Sequence, residues 1–210
     1  MKINYKEFVS KFDEIVARGF SCGLGVRGGQ MCVEAAVCAA LDLPHGDYPE
    51  CVEPAVRLFK VKLNDSNWTT RRARAEGLRD LGIAQVGSKG VVDGMEFARR
   101  VEERTIREII PALLREGFPN NDKYLKAAAR CEAEGTAEAF RGAGLILRRR
   151  RPDTAGVACS AWIAIILADP AVRVAPIGCR ATKGDKYLLM SARIALDVLR
   201  ELGSPGVNYV

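Results

Sequence analysis

Val9, Phe12 and Val16 recur at helical spacing between Asn4 and Arg18, and predict an amphipathic first helix with those residues inward. Gly19 and the glycine-rich stretch Cys22 to Gly29 end it. Gln30 to Leu41, rich in Ala and Val, predicts a second helix, and Pro44-His45-Gly46-Asp47 a turn. Pro49 and Pro54 stand near the start of a third helix reaching Leu63, where the first turn has spare N–H groups. Asn64 to Asn67 reads as a turn, and Thr69 or Thr70 as the cap of a helix running to about Val86. After a loop at Gly87 to Gly90, Asp93 is placed to cap a long helix carrying Phe97, Val101, Thr105, Ile109 and Leu113, with a kink expected at Pro111.

Pro119 to Asp122 is a turn with an Asp cap. One helix is expected from Lys123 to Leu147, weakened by Gly135, Gly142 and Gly144. Arg148 to Arg151 and Pro152 stop it. Asp153 to Ala168 is apolar nearly all round and predicts a central buried helix. Pro170 to Lys183 reads as irregular or briefly extended. A last helix starts at Gly184-Asp185, carries Leu188, Ala192, Ala195 and Leu199 on one face, and ends at Gly203-Ser204-Pro205. Val172-Arg173-Val174 is the one alternating stretch, too short for a sheet. The expected fold is all-α: a single-domain bundle of about eight helices over residues 1–210, with a helix near 155–168 at its centre. A fixed-period repeat is absent, and the weak seam in the chain is at 148–153.

Composition supports a packed core, with 210 residues, 48% apolar and 28% charged. Lys plus Arg number 32 against 26 Asp plus Glu, a net charge of +6, which permits a polyanionic partner without requiring one. The N-terminal stretch lacks the apolar segment of an export signal, and the run from Ala155 to Ala168 is too short to span a bilayer. A cytoplasmic protein with no membrane partner is therefore expected. Its seven cysteines show no disulfide-framework spacing and are expected to be reduced.

Four constellations could carry function. In the first, Cys32 in the opening turn of the second helix could be an activated thiol, with His45 as base and Asp47 to orient it. A straight helix would hold Cys32 and His45 about 15 Å apart or more, so only unwinding or a chain reversal would join them. Burial of Cys32 as a small apolar residue among Ala and Val is the simpler account. In the second, Cys22, Cys38, His45 and Cys51 offer a zinc set, but without a close pair such as C-x2-C. No metal or other cofactor is expected. In the third, Gly23, Gly25 and Gly28 fit G-x-G-x-x-G, and Arg27, Gly28, Gly29 and Gln30 could hold a phosphate or carboxylate. A dinucleotide site would need a preceding strand, and a helix precedes. In the fourth, Trp68 with Arg71, Arg72, Arg74 and Arg79, and separately Arg148 and Arg149, could meet nucleic acid or another partner.

The stretch Gly29-Gln30-Met31-Cys32-Val33-Glu34-Ala35-Ala36-Val37-Cys38, with Leu43-Pro44-His45-Gly46-Asp47, resembles an uncharacterised family of bacterial and phage-encoded proteins. Leu63 to Ser66, Gly184 to Leu189 and Ser204 to Val207 extend the resemblance over most of the chain. It implies no activity, cofactor or partner. Arg27 to Cys32 is also reminiscent of the arylamine N-acetyltransferases. The extra residue between Gly29 and Cys32, and the want of strands to carry a His and an Asp, set that comparison aside.

The leading expectation is a non-enzymatic interaction protein binding a polyanion, nucleic acid or protein through arginine-rich helix faces. Self-assembly is allowed by small-residue stretches such as Ala127-Ala128-Ala129. The alternative is a thiol-dependent hydrolase or transferase using Cys32 with His45.

Overall fold

The computed structural model describes residues 2–148 and 185–210, with side chains over 2–143 and 185–210. The expected central helix at 155–168, the seam at 148–153, Val172 to Val174 and Arg149 lie outside the described residues. So does the side chain of Arg148.

The fold is all-α, as the hydrophobic period predicts. Among the described residues the one piece of β pairing is an isolated antiparallel bridge between Gly25 and Met31. No helix in this set is long and apolar enough to cross a membrane. Helix α1 (Tyr5–Val16) is capped by Asn4, whose side chain accepts from Glu7 N. Its buried stripe is Phe8, Phe12 and Ile15. Val9 and Val16 are only half-buried, so the inward face is turned from the predicted one toward the bulkier Phe8 and Ile15.

Helix α2 (Val33–Ala40) begins three residues later than predicted. Gln30 and Met31 are committed to the preceding loop instead: Val26 N donates to Gln30 O (3.0 Å) and Ser21 N to Met31 O (3.0 Å). Val33 to Cys38 are all buried, so α2 is the innermost described element, with α1, α3 (Pro54–Asn64) and α4 (Arg71–Ala84) around it. Thr70 caps α4 through Ala73 N. Asp93 caps α5 (Gly94–Arg104) through Met95 N and Glu96 N.

The expected kink near Pro111 takes the form of a π-helical turn, Thr105–Ile109, leading into α6 (Ile110–Gly117). Proline lacks an N–H and its ring crowds the carbonyl four residues back, which a wider turn relieves. The helix predicted over 123–147 is two helices, α7 (Asp122–Glu134) and α8 (Ala137–Arg148). Gly135 divides them by taking a left-handed conformation (φ 64°) as the C-cap of α7. Helix α9 (Lys186–Glu201) packs on α4 and α5. A 3₁₀ turn, Pro205–Tyr209, which the sequence reading lacked, follows it and stacks Tyr209 on Tyr5 with ring centroids 4.3 Å apart.

Candidate functional site

The N-terminus of α2 collects residues from four segments. Cys32 is its N-cap, and the cysteine sulfur accepts from Ala35 N (3.4 Å). Asn64, at the end of α3, accepts from Val33 N (3.2 Å) through Oδ1. Its Nδ2 donates to Ser21 O (3.0 Å) and to Asp65 Oδ1 (3.0 Å). Asp65 Oδ1 in turn accepts from Gly23 N (2.8 Å). The Asn64-Asp65 pair thus seats the glycine-rich loop against the helix start. Cys32 N donating to Leu24 O (3.2 Å) closes the arrangement.

The fourth segment arrives by a chain reversal. Leu43 N donates to Cys38 O (2.8 Å) and Asp42 takes a positive φ of 57°, so the chain doubles back after Leu41. His45 Nε2 then lies 3.3 Å from Gly25 O. The reversal thus brings His45 to the glycine-rich loop that precedes Cys32. Of the two carboxy-terminal partners it is Asp47 that borders the same cleft as Cys32, together with Glu34, Asn64, Asp65 and the Gly23-Leu24 backbone. The cleft offers 30 Å³, space for one or two waters. No hydrogen bond joins the Cys32 sulfur to His45.

Behind the cleft sits a charge pair that the sequence reading missed. Glu34 Oε1 is 3.4 Å from Lys60 Nζ, and both side chains have zero exposure. Gln85 Nε2 donates to Glu34 Oε2 (3.0 Å). Among the described residues Glu34 Oε1, Lys60 Nζ and Gln85 Oε1 have no further hydrogen-bond partner beyond the pair itself. Burial pushes the Glu34 carboxyl up, with the Lys60 charge opposing. Burial pushes the Lys60 amine down, with Glu34 opposing. A lone acid inside the apolar run Val33 to Ala40 was the one available clue.

Burial also raises the Cys32 thiol, and the N–H groups of Ala35 and Glu34 pull the other way. Cys38, deeper in α2, is pushed by burial to about 12. Burial thus disfavours the Cys32 thiolate, and Cys32 differs from Cys38 in lining the cleft.

The other candidates separate. Cys22 is exposed beside Asp65, Cys38 is buried and Cys51 half-buried, and no three His, Cys, Asp or Glu groups among the described residues converge as metal ligands. This removes the Cys22, Cys38, His45 and Cys51 zinc set. Trp68 is a core residue at 7% exposure with Nε1 donating to Leu63 O (2.8 Å), so it offers no face for a base. Arg74 is buried, with a guanidinium N–H on Phe20 O (3.0 Å). Arg79 is held by Asp13 and Asp80, and Arg72 by Glu76. Arg71 bonds Gln30, and Arg18 reaches Gly28 O (3.4 Å), so Arg18 and Arg71 both approach the loop that carries the exposed Arg27. Within that loop the N–H groups of Val26 and Gly29 are spent on the loop's own carbonyls.

No family model matches the chain, and no curated protein or solved structure matches it.

Proposed function

We propose that the protein is a thiol-dependent hydrolase or transferase with Cys32 as its nucleophile. One observation supports this reading: the reversal after α2 brings His45 to Gly25 and puts Asp47 and Cys32 on the walls of one small cleft. Because burial disfavours the thiolate, attack requires a proton acceptor. Asp47 borders the cleft. His45, with Nε2–H donating to Gly25 O, leaves Nδ1 without a partner and able to accept. The sulfur would bond to an electrophilic carbon as its proton passes to that base. The leaving group would depart with the proton, and water or an acceptor would release the product.

Chloroacetamide labelling, with the modified cysteine located by peptide mass, tests this. Cys32 should be alkylated in the folded protein while Cys38, at 2% exposure, stays unmodified. The Cys32 rate should fall about tenfold or more in His45→Gln or Asp47→Asn. It should rise with pH past the ordinary thiol value of 9.0, because the folded thiol is raised. A Cys32 that stays unlabelled, or is labelled equally fast in both variants, would refute the assignment.

A second reading, binding of a polyanion or nucleic acid without catalysis, is favoured by Arg18, Arg27 and Arg71. Among the described residues no acidic side chain pairs with these three, whereas Arg99, Arg100, Arg115 and Arg130 all sit on glutamates. Three phosphate contacts give a salt slope of about −2.7 in log K against log salt. The triple Ala variant should bring binding of duplex DNA close to zero at low salt, and Arg99→Ala should leave it unchanged. Unaltered binding in the triple variant would rule this reading out.

A further inference from the structure

Glu34 belongs both to the buried ion pair and to the wall of the cleft. Its carboxylate lies 3.4 Å from Lys60 Nζ with neither side chain exposed, and it lines the space that Cys32 also lines. It stands two residues after Cys32 in the first turn of α2, the turn whose Ala35 N–H donates to the sulfur. A thiolate at Cys32 would therefore share a dry region with one carboxylate and one ammonium. The remaining neighbours carry little unscreened charge. Gln85, bonded to Glu34 from α4, is neutral, and burial disfavours the thiolates of Cys38 and Cys51. His45 is turned to Gly25 O. Asp47 and Asp65 are exposed, and the partly exposed Arg57 of α3 lies on Asp47 O and over the Tyr48 ring, so water screens all three. Charges without water contact act far more strongly on one another.

We infer that Lys60 and Glu34 are positioning residues for the Cys32 nucleophile: the Lys60 ammonium is the counter-charge of the thiolate, and Glu34 competes with the sulfur for it. One buried ammonium cannot fully neutralise two anions, so the thiol is the resting form while Glu34 holds Lys60. The pair takes no proton in the step, and the sulfur's proton still passes to the base. The two charges act on the Cys32 thiol in these senses, Glu34 raising it and Lys60 lowering it. This rests on the thiol reading above and adds what governs its nucleophile.

The test is the rate of chloroacetamide labelling of Cys32 in the full chain at pH 8, between the ordinary values of 4.5 for Glu34 and 10.5 for Lys60. The exposed Cys22 is the reference thiol, and the buried Cys38 reports opening of the fold. Lys60→Met should slow Cys32 about fivefold or more, and adding Glu34→Leu should bring the rate back to within about twofold of the parent. Loss of stability alone would do the reverse, speeding Cys32 in Lys60→Met together with Cys38. If Lys60→Met does open in this way, Glu34→Gln decides, because the remaining anion for the amine is then the thiolate. It should speed Cys32 about threefold or more relative to Cys22, with Cys38 unlabelled. A Lys60→Met rate at or above the parent's with Cys38 protected, or a Glu34→Gln rate at or below the parent's, would overturn the roles of the pair while Cys32 remains the nucleophile. A Cys32 unlabelled in the parent, with denatured protein reacting fully, would overturn both.

Discussion

Lys60→Met is expected to cost about 3–5 kcal/mol in urea unfolding, because it leaves the Glu34 carboxylate buried without its counter-charge. Glu34→Gln should be costly for the converse reason, since Lys60 has zero exposure and Glu34 is its one ion-pair partner among the described residues. The two variants should respond to pH in opposite senses. The Glu34 pKa is raised in the fold, so its contribution is intact below the ordinary 4.5 and is lost as pH rises. Lys60→Met should therefore regain stability on acidification toward that value. The Lys60 pKa is lowered in the fold, so its contribution is intact above the ordinary 10.5 and is lost as pH falls. Glu34→Gln should regain stability as the solution is made alkaline. Glu34→Leu with Lys60→Met should cost well under the sum of the single changes, because no charge is then left to desolvate. Single variants within 1 kcal/mol of the parent, or equal pH responses, would show that the pair is hydrated rather than dry.

The parts of this fold that were legible in the sequence are those governed by local rules. Thr70 and Asp93 accept from the N–H groups of their own helices, as their positions ahead of helical stretches predict. Gly135 was visible as a weak point, but its αL conformation, which turns one predicted helix into two, depends on the packing of α7 against α8. The stripe of α1 was misplaced because Val9 and Val16 fit the period as well as Phe8 and Ile15 do. Larger side chains won the interior. Trp68, followed by arginines, has the composition of a nucleic-acid contact. The indole instead found a carbonyl five residues back, Leu63 O, and the core.

Most of the candidate site was not legible because it is assembled by tertiary contact. The reversal that brings Asp47 to Cys32 needs Asp42, a non-glycine residue, at positive φ, which composition does not announce. Glu34 and Lys60 become partners only when α2 and α3 lie side by side. Asn64 and Asp65 read as turn formers. Their second use, as cap of α2 and anchor of the glycine-rich loop, requires a helix start 31 residues earlier in the chain to be within reach.

Gly25→Ala is the other change expected to have a large effect, about 3 kcal/mol or more in urea unfolding. Gly25 has φ 72°, where an L side chain costs about 1–2 kcal/mol from its own backbone alone. Its added Cβ would also strike the Gln30 carbonyl and come within 2.6 Å of Met31 Cα and 2.7 Å of Ser21 Oγ. Two of those contacts are backbone, and the one bridge of the loop, Gly25 to Met31, holds them there. Relief would require the strands of the loop to part, which would break Cys32 N from Leu24 O and His45 from Gly25 O. Gly28→Ala is the control. It has a similar φ of 78°, yet its Cβ meets nothing within 4 Å, so it should cost about 1–2 kcal/mol of backbone strain only. The comparison separates two roles for these glycines. If close packing at Gly25 shapes the cleft, Gly25→Ala should also change Cys32 labelling under conditions where the variant is folded, and Gly28→Ala should not. Equal costs at the two positions would mean that the loop needs glycine for its backbone angles alone.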